Sequence, residues 1–383
     1  MLTCRSWARI GTEFMYRSIL VSNVNRLREL CTIFDENSNL GWWTKGLYIY
    51  SDSREGIRDL SVSRMDDCVI SLVRHFPNLQ IFIVDPPIGP SFSNVADAVR
   101  TYARSLKSLQ WKIPYEIQSK IVPAIVCMQD LVALEIHLSH PVTESEGTLP
   151  GIRALVDISF PHLRELNVCG AVQDLVEHIG SWHMPQLCSL KIDFKYSRDD
   201  FPDIVEALAT YGPQLRTLDI NSIANAPMDV PSVLSICPNL TTFCFNLDWQ
   251  LEGNLIARVH QNIENIGLHG LRHAFGVGYA SELAEINPFE AIIMRRRNDI
   301  NFDSLVKKSF PRLCLIRVLD PGLLHDLNKN NGPAEGVCYG RWEKWWEHCT
   351  SQRIRLEDCT GSFLGTLPEK DESESESEDD LHF

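Results

Sequence analysis

The sequence predicts an α/β repeat fold in which short parallel strands alternate with helices. The phrase X-Pro-X-Leu, where X is variable, precedes six of the expected strands, and most of these copies continue as Leu-x-x-Leu-x-apolar. First leucines of this kind recur at steps of 24 to 32 residues between Leu79 and Leu240, with helix-like stretches between them. The six phrases end at Leu79, Leu163, Leu187, Leu215, Leu240 and Leu313.

Each repeat contributes one strand whose apolar residues fall on alternate positions. After Leu163, for example, Leu166 and Val168 lie on the same side, as the two-residue period of a strand requires. Two further copies lack the proline and begin at Leu106 and Leu131. Stacked repeats bury these positions in one continuous core.

This alternation assigns buried and exposed positions, and an earlier strand at Leu47 and Ile49 is expected to open the array. The expected buried equivalents on three neighbouring strands are Leu166, Leu190 and Leu218. The residues expected to be exposed beside them are Glu165, Lys191 and Asp219.

The phrase and its spacing resemble a leucine-rich-repeat solenoid of the longer, helix-containing kind, covering residues 22–320. The alternative is an ordinary α/β domain whose strands happen to begin with X-Pro-X-Leu. A doubly wound sheet would instead have strands that are continuously rich in Val and Ile. One departure from the repeat family predicts less regular turns, because other residues occupy the position at which many such repeats carry a buried asparagine: Pro114, Ser139, Ala171, Lys195 and Asp248.

Residues 1–21 form a separate N-terminal segment that resembles the second half of an F-box. The resemblance rests on the C-x-x-W pattern of Cys4 and Trp7, followed by an aromatic-basic stretch. Its position ahead of the repeats resembles the fungal family of F-box and leucine-rich-repeat proteins. The resemblance implies that Cys4, Trp7, Ile10 and Phe14 face a ubiquitin-ligase adaptor protein. Without the family, Trp7, Ile10, Phe14 and Ile19 are apolar residues that cap the open end of the repeat array.

The proline-led leucine-rich front of the F-box is missing from this sequence. We therefore expect the chain to bind the adaptor weakly or not at all, unless the module is completed upstream. A single short helix is marginally stable unless it packs, so Trp7 and Ile10 are expected to fold back on the first repeat.

The C-terminal part is expected to close the repeat array. Residues 321–340 contain Gly, Asn and Pro and predict a loop. In residues 341–366, one helical face carries Trp342, Trp345, Trp346 and Cys349. This pattern favours a capping helix over the alternative, an exposed ridge that binds a partner. Residues 353–358 follow as a closing strand.

Residues 367–383 form a low-complexity acidic segment that is predicted to be a disordered tail. Three serines in it, Ser373, Ser375 and Ser377, each have an acidic residue three positions later. This spacing resembles the sites of acidophilic casein-type kinases, so these serines are candidate phosphorylation sites. The alternative is an unmodified solubilising tail.

Composition limits the class of protein. Of the 383 residues, 44% are apolar, which is ample for a large core, and the net charge of −14 argues against a nucleic-acid surface. The twelve cysteines include no C-x-x-C pair, and no apolar run approaches the length of a membrane span. These features predict a soluble protein of the cytoplasm or nucleus, with no membrane or nucleic-acid partner.

The sequence offers no recognisable catalytic constellation. It lacks a phosphate-binding loop and a G-x-S-x-G motif, and Gly276-Val277-Gly278 is too short for a dinucleotide site. His269 and His273 have a zinc-helix spacing, but Gly270 occupies the place of the catalytic glutamate. The triplet Arg295-Arg296-Arg297 is interpreted as a solvated loop. We expect no enzyme activity, cofactor or metal.

Function is therefore expected to reside on the surface formed by the outward strand positions. A mixed, polar row suits a protein partner better than a small molecule, which requires an enclosed pocket. The first hypothesis is a substrate-recognition subunit of an SCF-type ubiquitin ligase, whose repeats hold an unknown target protein. The alternative is a free-standing leucine-rich interaction or scaffold protein. The outward positions chosen for the target face are Gln110, Glu135, Glu165, Asn167, Lys191 and Asp219.

Overall fold

The computed structural model describes residues 5–50, 62–89, 91–139, 158–194, 204–222, 227–251, 259–334 and 336–364. The chain divides into two compact units, Met1–Leu215 and Arg216–Phe383. Both contain parallel strands that alternate with helices, so the predicted α/β class is confirmed. Among the described helices, none combines the length and apolarity that crossing a membrane would require.

The described residues of the first unit form seven strands that pair in parallel and in chain order. They also form 3-10 turns at Ser38–Trp43, Tyr115–Lys120 and Gly212–Gln214. The helices and strands are α1 (Arg5–Arg17), β1 (Ser18–Val21), α2 (Val24–Glu36), β2 (Gly46–Ile49), α3 (Val62–Arg74), β3 (Ile81–Val84), α4 (Phe92–Tyr102), β4 (Ser108–Ile113), α5 (Ile121–Ile125), β5 (Ala133–Leu138), β6 (Glu165–Gly170), α6 (Gln173–Ile179), β7 (Ser189–Asp193) and α7 (Ile204–Leu208).

The second unit continues with strands and more helices. Its elements are β8 (Thr217–Asn221), β9 (Pro227–Met228), α8 (Val230–Ile236), β10 (Thr242–Asn246), β11 (Gln250–Leu251), β12 (Asn265–His269), α9 (Arg272–Phe275), α10 (Tyr279–Ile286), α11 (Pro288–Asp303), β13 (Leu315–Val318), α12 (Pro321–Lys329), α13 (Val337–Ser351) and β14 (Arg355–Glu357). Strands β8, β10, β12, β13 and β14 pair in parallel in that order, and β9 pairs separately with β11.

The recurring phrase forms the same turn in every copy. The backbone N–H of the closing leucine donates to the carbonyl three residues earlier, as Leu79 does to Phe76 at 3.1 Å and Leu313 to Phe310 at 3.0 Å. Proline suits the second position of such a turn because its ring fixes φ near the value that the turn needs. The closing leucine is buried in all six copies and lies two residues before the strand that follows.

A second repeated contact sets the register between neighbouring strands. The carbonyl of Gln80 accepts from the N–H groups of both Lys107 and Ser108, at 2.8 and 2.9 Å. In the second unit the carbonyl of Thr241 accepts in the same way from Glu264 and Asn265. Leucines at equivalent positions are therefore aligned, and the predicted burial is confirmed for Leu166, Leu190 and Leu218.

The array begins one strand earlier than expected. Strand β1 pairs in parallel with β2, and Ile19 and Val21 of β1 are buried opposite Leu47 and Ile49. The expectation that the strand at Leu47 opens the array is therefore wrong. The N-terminal segment contributes both a helix and the first strand.

The loop predicted for residues 321–340 is also wrong, because α12 occupies its first half. The side chain of Asp320 accepts from the N–H of Gly322 at 2.8 Å, and Pro321 stands in the first turn, where its missing N–H is not needed. Leu323 and Leu327, four residues apart, are buried. The helix ends before Gly332, whose φ of +113° suits glycine.

The arginine triplet lies inside α11 and not in a loop. The side chain of Asn287 caps this helix by accepting from the N–H of Glu290 at 3.2 Å, and Pro288 follows the cap. The helix is 16 residues long. Arg295 and Arg297 are half-buried against the unit, and Arg296 is exposed to solvent. The loop interpretation overlooked this capping pattern.

The tryptophan stripe forms most of a packed helix, α13. Trp342, Trp345 and Cys349 are buried, and Trp345 stacks on Phe302 with ring centroids 4.2 Å apart. Trp346 is 38% exposed and lies at the margin of the stripe. The predicted helix and the strand after it are confirmed as α13 and β14, and their role as the cap of the array stays a prediction.

Candidate functional site

Outward side chains of β1 to β7 form the surface that we call the open face. They alternate with buried side chains, and most are half-buried or exposed; Cys169 of β6 is a buried exception. Parallel register places Gln110, Glu135, Asn167 and Lys191 in one row across β4 to β7. Neighbouring members are about 4.8 Å apart along the hydrogen-bonding direction. Four predicted residues are thus brought together, and Glu165 lies in the adjacent row.

Glu135 is the centre of this polar row. It hydrogen-bonds to His137 on its own strand, and it accepts from Asn167 Nδ2 at 3.4 Å. The hydrogen bond with His137 is the main cause that lowers the pKa of Glu135, and the charges of His137 and Lys191 act in the same direction. Partial burial acts the other way. The carboxylate is therefore held ionised and in a fixed position on the face.

Next to this centre, the ends of β6 and β7 carry a second polar contact. Cys169 Sγ donates to Asp193 Oδ2 at 3.5 Å. The two residues stand directly opposite each other in the register. The polar half of the open face is therefore joined by hydrogen bonds across three strands.

The first three strands give the open face a different, apolar half. Leu20 on β1 and Tyr50 just after β2 are exposed, and Tyr48, Ile81 and Ile83 are half-buried. These residues were not among the predicted outward positions, which begin at β4. The same two-residue alternation around Leu47 and after Leu79 was the signal that would have found them.

In the second unit, Asp219 was expected to be exposed and is not. Its Oδ1 lies 2.6 Å from Nε2 of His269, and both side chains are largely buried. Cys244, the outward residue on the strand between them, is buried as well. Asp219 therefore acts within a polar contact of its own unit, and its assignment to an exposed target face is corrected.

The residues assigned to the adaptor side are only partly described. Cys4 lies outside the described residues, and Trp7 and Ile10 fall on α1. Phe14, at the end of the same helix, is exposed. The interpretation of Phe14 as a packed cap is therefore wrong for this residue. The candidate phosphorylation sites Ser373, Ser375 and Ser377 also lie outside the described residues.

The second unit encloses a polar cluster behind β10. Asp248 is buried, and its Oδ1 accepts from Asn298 Nδ2 at 2.8 Å. Its N–H donates to the Asn246 side chain at 2.9 Å, and Asn301 donates to the carbonyls of Leu247 and Trp249. Side chains of β10 and α11 thus form hydrogen bonds with backbone groups of residues 247–249, which follow β10. Burial is the main cause that raises the pKa of Asp248.

The two histidines with zinc-helix spacing have separate environments. His269 ends β12 and contacts Asp219, whereas His273 lies in α9 with its ring edge-on to Tyr279. Burial lowers the pKa of His273, which favours its neutral form. In the part of the chain that the structure covers, no three His, Cys, Asp or Glu side chains are grouped to hold a metal ion.

Neither the models of known protein families nor the curated protein sequences contain a match to this chain.

Proposed function

We propose that this chain is a non-catalytic protein-interaction subunit that binds a target protein through the open face of its first unit. The observation that supports this best is the fixed polar row around Glu135 beside the apolar half on β1 to β3. Interfaces commonly combine apolar anchors with a hydrogen-bonding rim, and here both are presented on one set of paired strands.

The dimensions of the face agree with a protein partner. Seven strands at about 4.8 Å spacing span roughly 30 Å, and a typical interface buries about 800 Å² on each partner. The face also determines which kinds of target side chain it can bind. An apolar side chain of the target would contact Tyr48 and Ile83, and a hydrogen-bond donor or a cation would face Glu135.

The finer proposal is that the target is a substrate of an SCF-type ubiquitin ligase. It rests on the F-box resemblance of Cys4 and Trp7, and the exposed Phe14 on α1 is available to a partner on that side. The second candidate is a free-standing interaction protein with the same open face. The two candidates differ in one measurable property, the affinity for the ligase adaptor.

The face is tested by affinity purification from the native cell with quantitative mass spectrometry. The variant Glu135→Lys reverses the central charge, and Glu177→Lys makes the same change at an exposed position on α6. We expect Glu135→Lys to lose specific proteins that the native chain and Glu177→Lys retain, with unchanged circular dichroism. Identical sets of captured proteins for all three chains would refute the open-face proposal.

The ligase connection is tested with purified components. Binding of the adaptor protein to the full chain is measured by calorimetry, and Phe14→Ala serves as the matched variant on the adaptor side. Submicromolar binding that Phe14→Ala weakens supports the ligase subunit. No binding, together with an intact open-face result, favours the free-standing interaction protein.

A further inference from the structure

Helices α2 and α3 pack together in the first unit, and each carries a cysteine at their contact. Cys31 lies on the buried side of α2, together with the fully buried Leu27 and Phe34. Cys68 lies on α3 and is half-buried, so its thiol is the more accessible of the two. These two residues, which we call the cysteine pair, are 37 positions apart in the chain, and the fold brings them together.

The thiol of Cys31 lies against Cys68. Its Sγ donates to the backbone carbonyl of Cys68 at 3.5 Å, and the side chains of Cys68 and Ser71 lie within hydrogen-bonding reach. Burial, and next to it the neighbouring thiol of Cys68, raise the pKa of Cys31 to about 12. The Cys31 thiol therefore stays protonated, and a small reactant that arrives from solvent meets the half-buried Cys68 first.

Two other cysteines of the described residues show the contrast. Cys188 and Cys314 each stand directly before a strand, and their thiols donate to backbone carbonyls at the start of the neighbouring strand. These carbonyls belong to Arg164, at 3.6 Å, and Glu264, at 3.3 Å. In both contacts the acceptor belongs to a residue that cannot be oxidised to a disulfide. The cysteine pair differs because its contact joins two thiol-bearing residues from different helices.

We propose that the cysteine pair is a reversible modification site, at which a peroxide converts Cys31 and Cys68 to a disulfide that links α2 to α3. A disulfide requires Sγ atoms about 2.0 Å apart and Cβ atoms about 3.5–4.5 Å apart. Because Sγ of Cys31 already lies against Cys68, closure requires rotation of the Cys68 side chain and little movement of either helix. In the cytoplasm or nucleus, which the composition predicts, such a link is transient and responds to oxidants.

The disulfide forms in two balanced steps. The Cys68 thiol reacts with hydrogen peroxide and gives a sulfenic acid and a water molecule. The sulfur of Cys31 then attacks the sulfenic sulfur, the S–O bond breaks, and the proton of Cys31 leaves with the hydroxyl group as a second water molecule. Together the two thiols lose two electrons and the peroxide gains them. A cellular thiol such as glutathione reverses the reaction by thiol–disulfide exchange.

The link restrains the part of the chain that carries β2. The loop that it closes runs from α2 to α3 and contains β2, whose Tyr48 belongs to the apolar half of the open face. A disulfide limits the freedom of the opened loop, so this segment should open less often in the oxidised chain. The link does not depend on what the open face binds, so it is tested independently of the proposed function.

The first test is mass spectrometry of the reduced, purified full chain after treatment with hydrogen peroxide. Free thiols are blocked, and trypsin then releases the two cysteines of the pair in separate peptides, 29–45 and 65–74. We expect these peptides to be joined with the loss of two hydrogen atoms and to separate on reduction. Cys68→Ala should abolish the link, and Cys31→Ala should leave Cys68 as a sulfenic acid that dimedone labels. Cys314→Ala is the matched control at an exposed thiol and should leave the yield of the link unchanged.

The second test is amide hydrogen exchange of the oxidised and the reduced chain. Peptides from α2, β2 and α3 should exchange about tenfold more slowly after oxidation, and reduction should restore the original rates. The proposal is overturned if Cys31 or Cys68 of the native chain links to other cysteines, or if oxidised Cys68 stays labelled by dimedone while Cys31 remains reduced. An oxidised chain that exchanges as fast as the reduced one overturns the restraint on β2. Circular dichroism checks the fold of each variant, and the link in the native chain decides the outcome if a variant fails to fold.

Discussion

The substitution Leu190→Ala tests the strand register of the first unit directly. Leu190 is 1% exposed in β7 and stands opposite Leu166 on β6. Its neighbour Lys191 points to the open face and is half-buried. A pair of alanine substitutions at these adjacent positions therefore compares the two faces of the same strand.

The magnitude follows from the groups that are removed. Leu→Ala deletes three carbon atoms, and at about 0.8 kcal/mol for each buried methylene the transfer loss is about 2.4 kcal/mol. The backbone of β7 is fixed by its ladder to β6, so the site collapses little and a cavity remains, which adds about 1–2 kcal/mol. The expected total is about 3–4 kcal/mol. Lys191→Ala should change the unfolding free energy by about 0.5 kcal/mol or less.

The assay is urea unfolding combined with amide hydrogen exchange read by mass spectrometry. The chain has two units, so a single midpoint would mix their transitions, whereas exchange in peptides from β6 and β7 reports the local free energy. Leu190→Ala should accelerate exchange in these strands strongly, and Lys191→Ala should not. Equal effects of the two substitutions would refute the register.

Three further predictions concern other parts of the chain. Because burial raises the pKa of Asp248, this carboxyl stabilises the fold fully below its ordinary pKa and loses that contribution as pH rises through the raised value. Asp248→Asn should therefore gain stability relative to the native chain as pH rises above the ordinary aspartate pKa of about 4, and a pH-independent difference in melting temperature would contradict this. Trp345→Ala should cost about 3–5 kcal/mol, because the ring is buried on Phe302, whereas Trp346→Ala at the margin should cost about 1 kcal/mol or less, both measured by amide hydrogen exchange in peptides from α13. Phosphorylation at Ser373, Ser375 and Ser377 would add about −1.5 to −2 charges at each site, and intact mass of protein from its native cell should show it; a mass without phosphate in residues 368–383 removes this prediction.

Helices α11 and α12 of the second unit show where local patterns failed. Asp320 and Asn287 are each followed by proline, a pattern that indicates the start of a helix. Both segments were nevertheless predicted to be loops, because glycine and asparagine residues lie nearby. In both helices, buried apolar residues four or more positions apart anchor the segment to its unit. Burial against other elements, which the local pattern does not contain, decided these segments.

The sequence by itself determined most strands from β2 onward, their buried residues and the turns that precede them. These features are local, because the two-residue alternation, the closing leucine and the proline of the turn all lie within about ten residues of each other. The polar row on β4 to β7 was also predictable, since equal spacing from each first leucine places Gln110, Glu135, Asn167 and Lys191 in register.

Only the tertiary structure decided how polar side chains from distant strands pair. Asp219 and His269 are 50 residues apart in the chain, and their contact spans an intervening strand. Asp248 depends in the same way on Asn298 of α11. Such contacts are set by which elements pack together, because side-chain pairing over long separations follows from packing and leaves no periodic signal in the sequence.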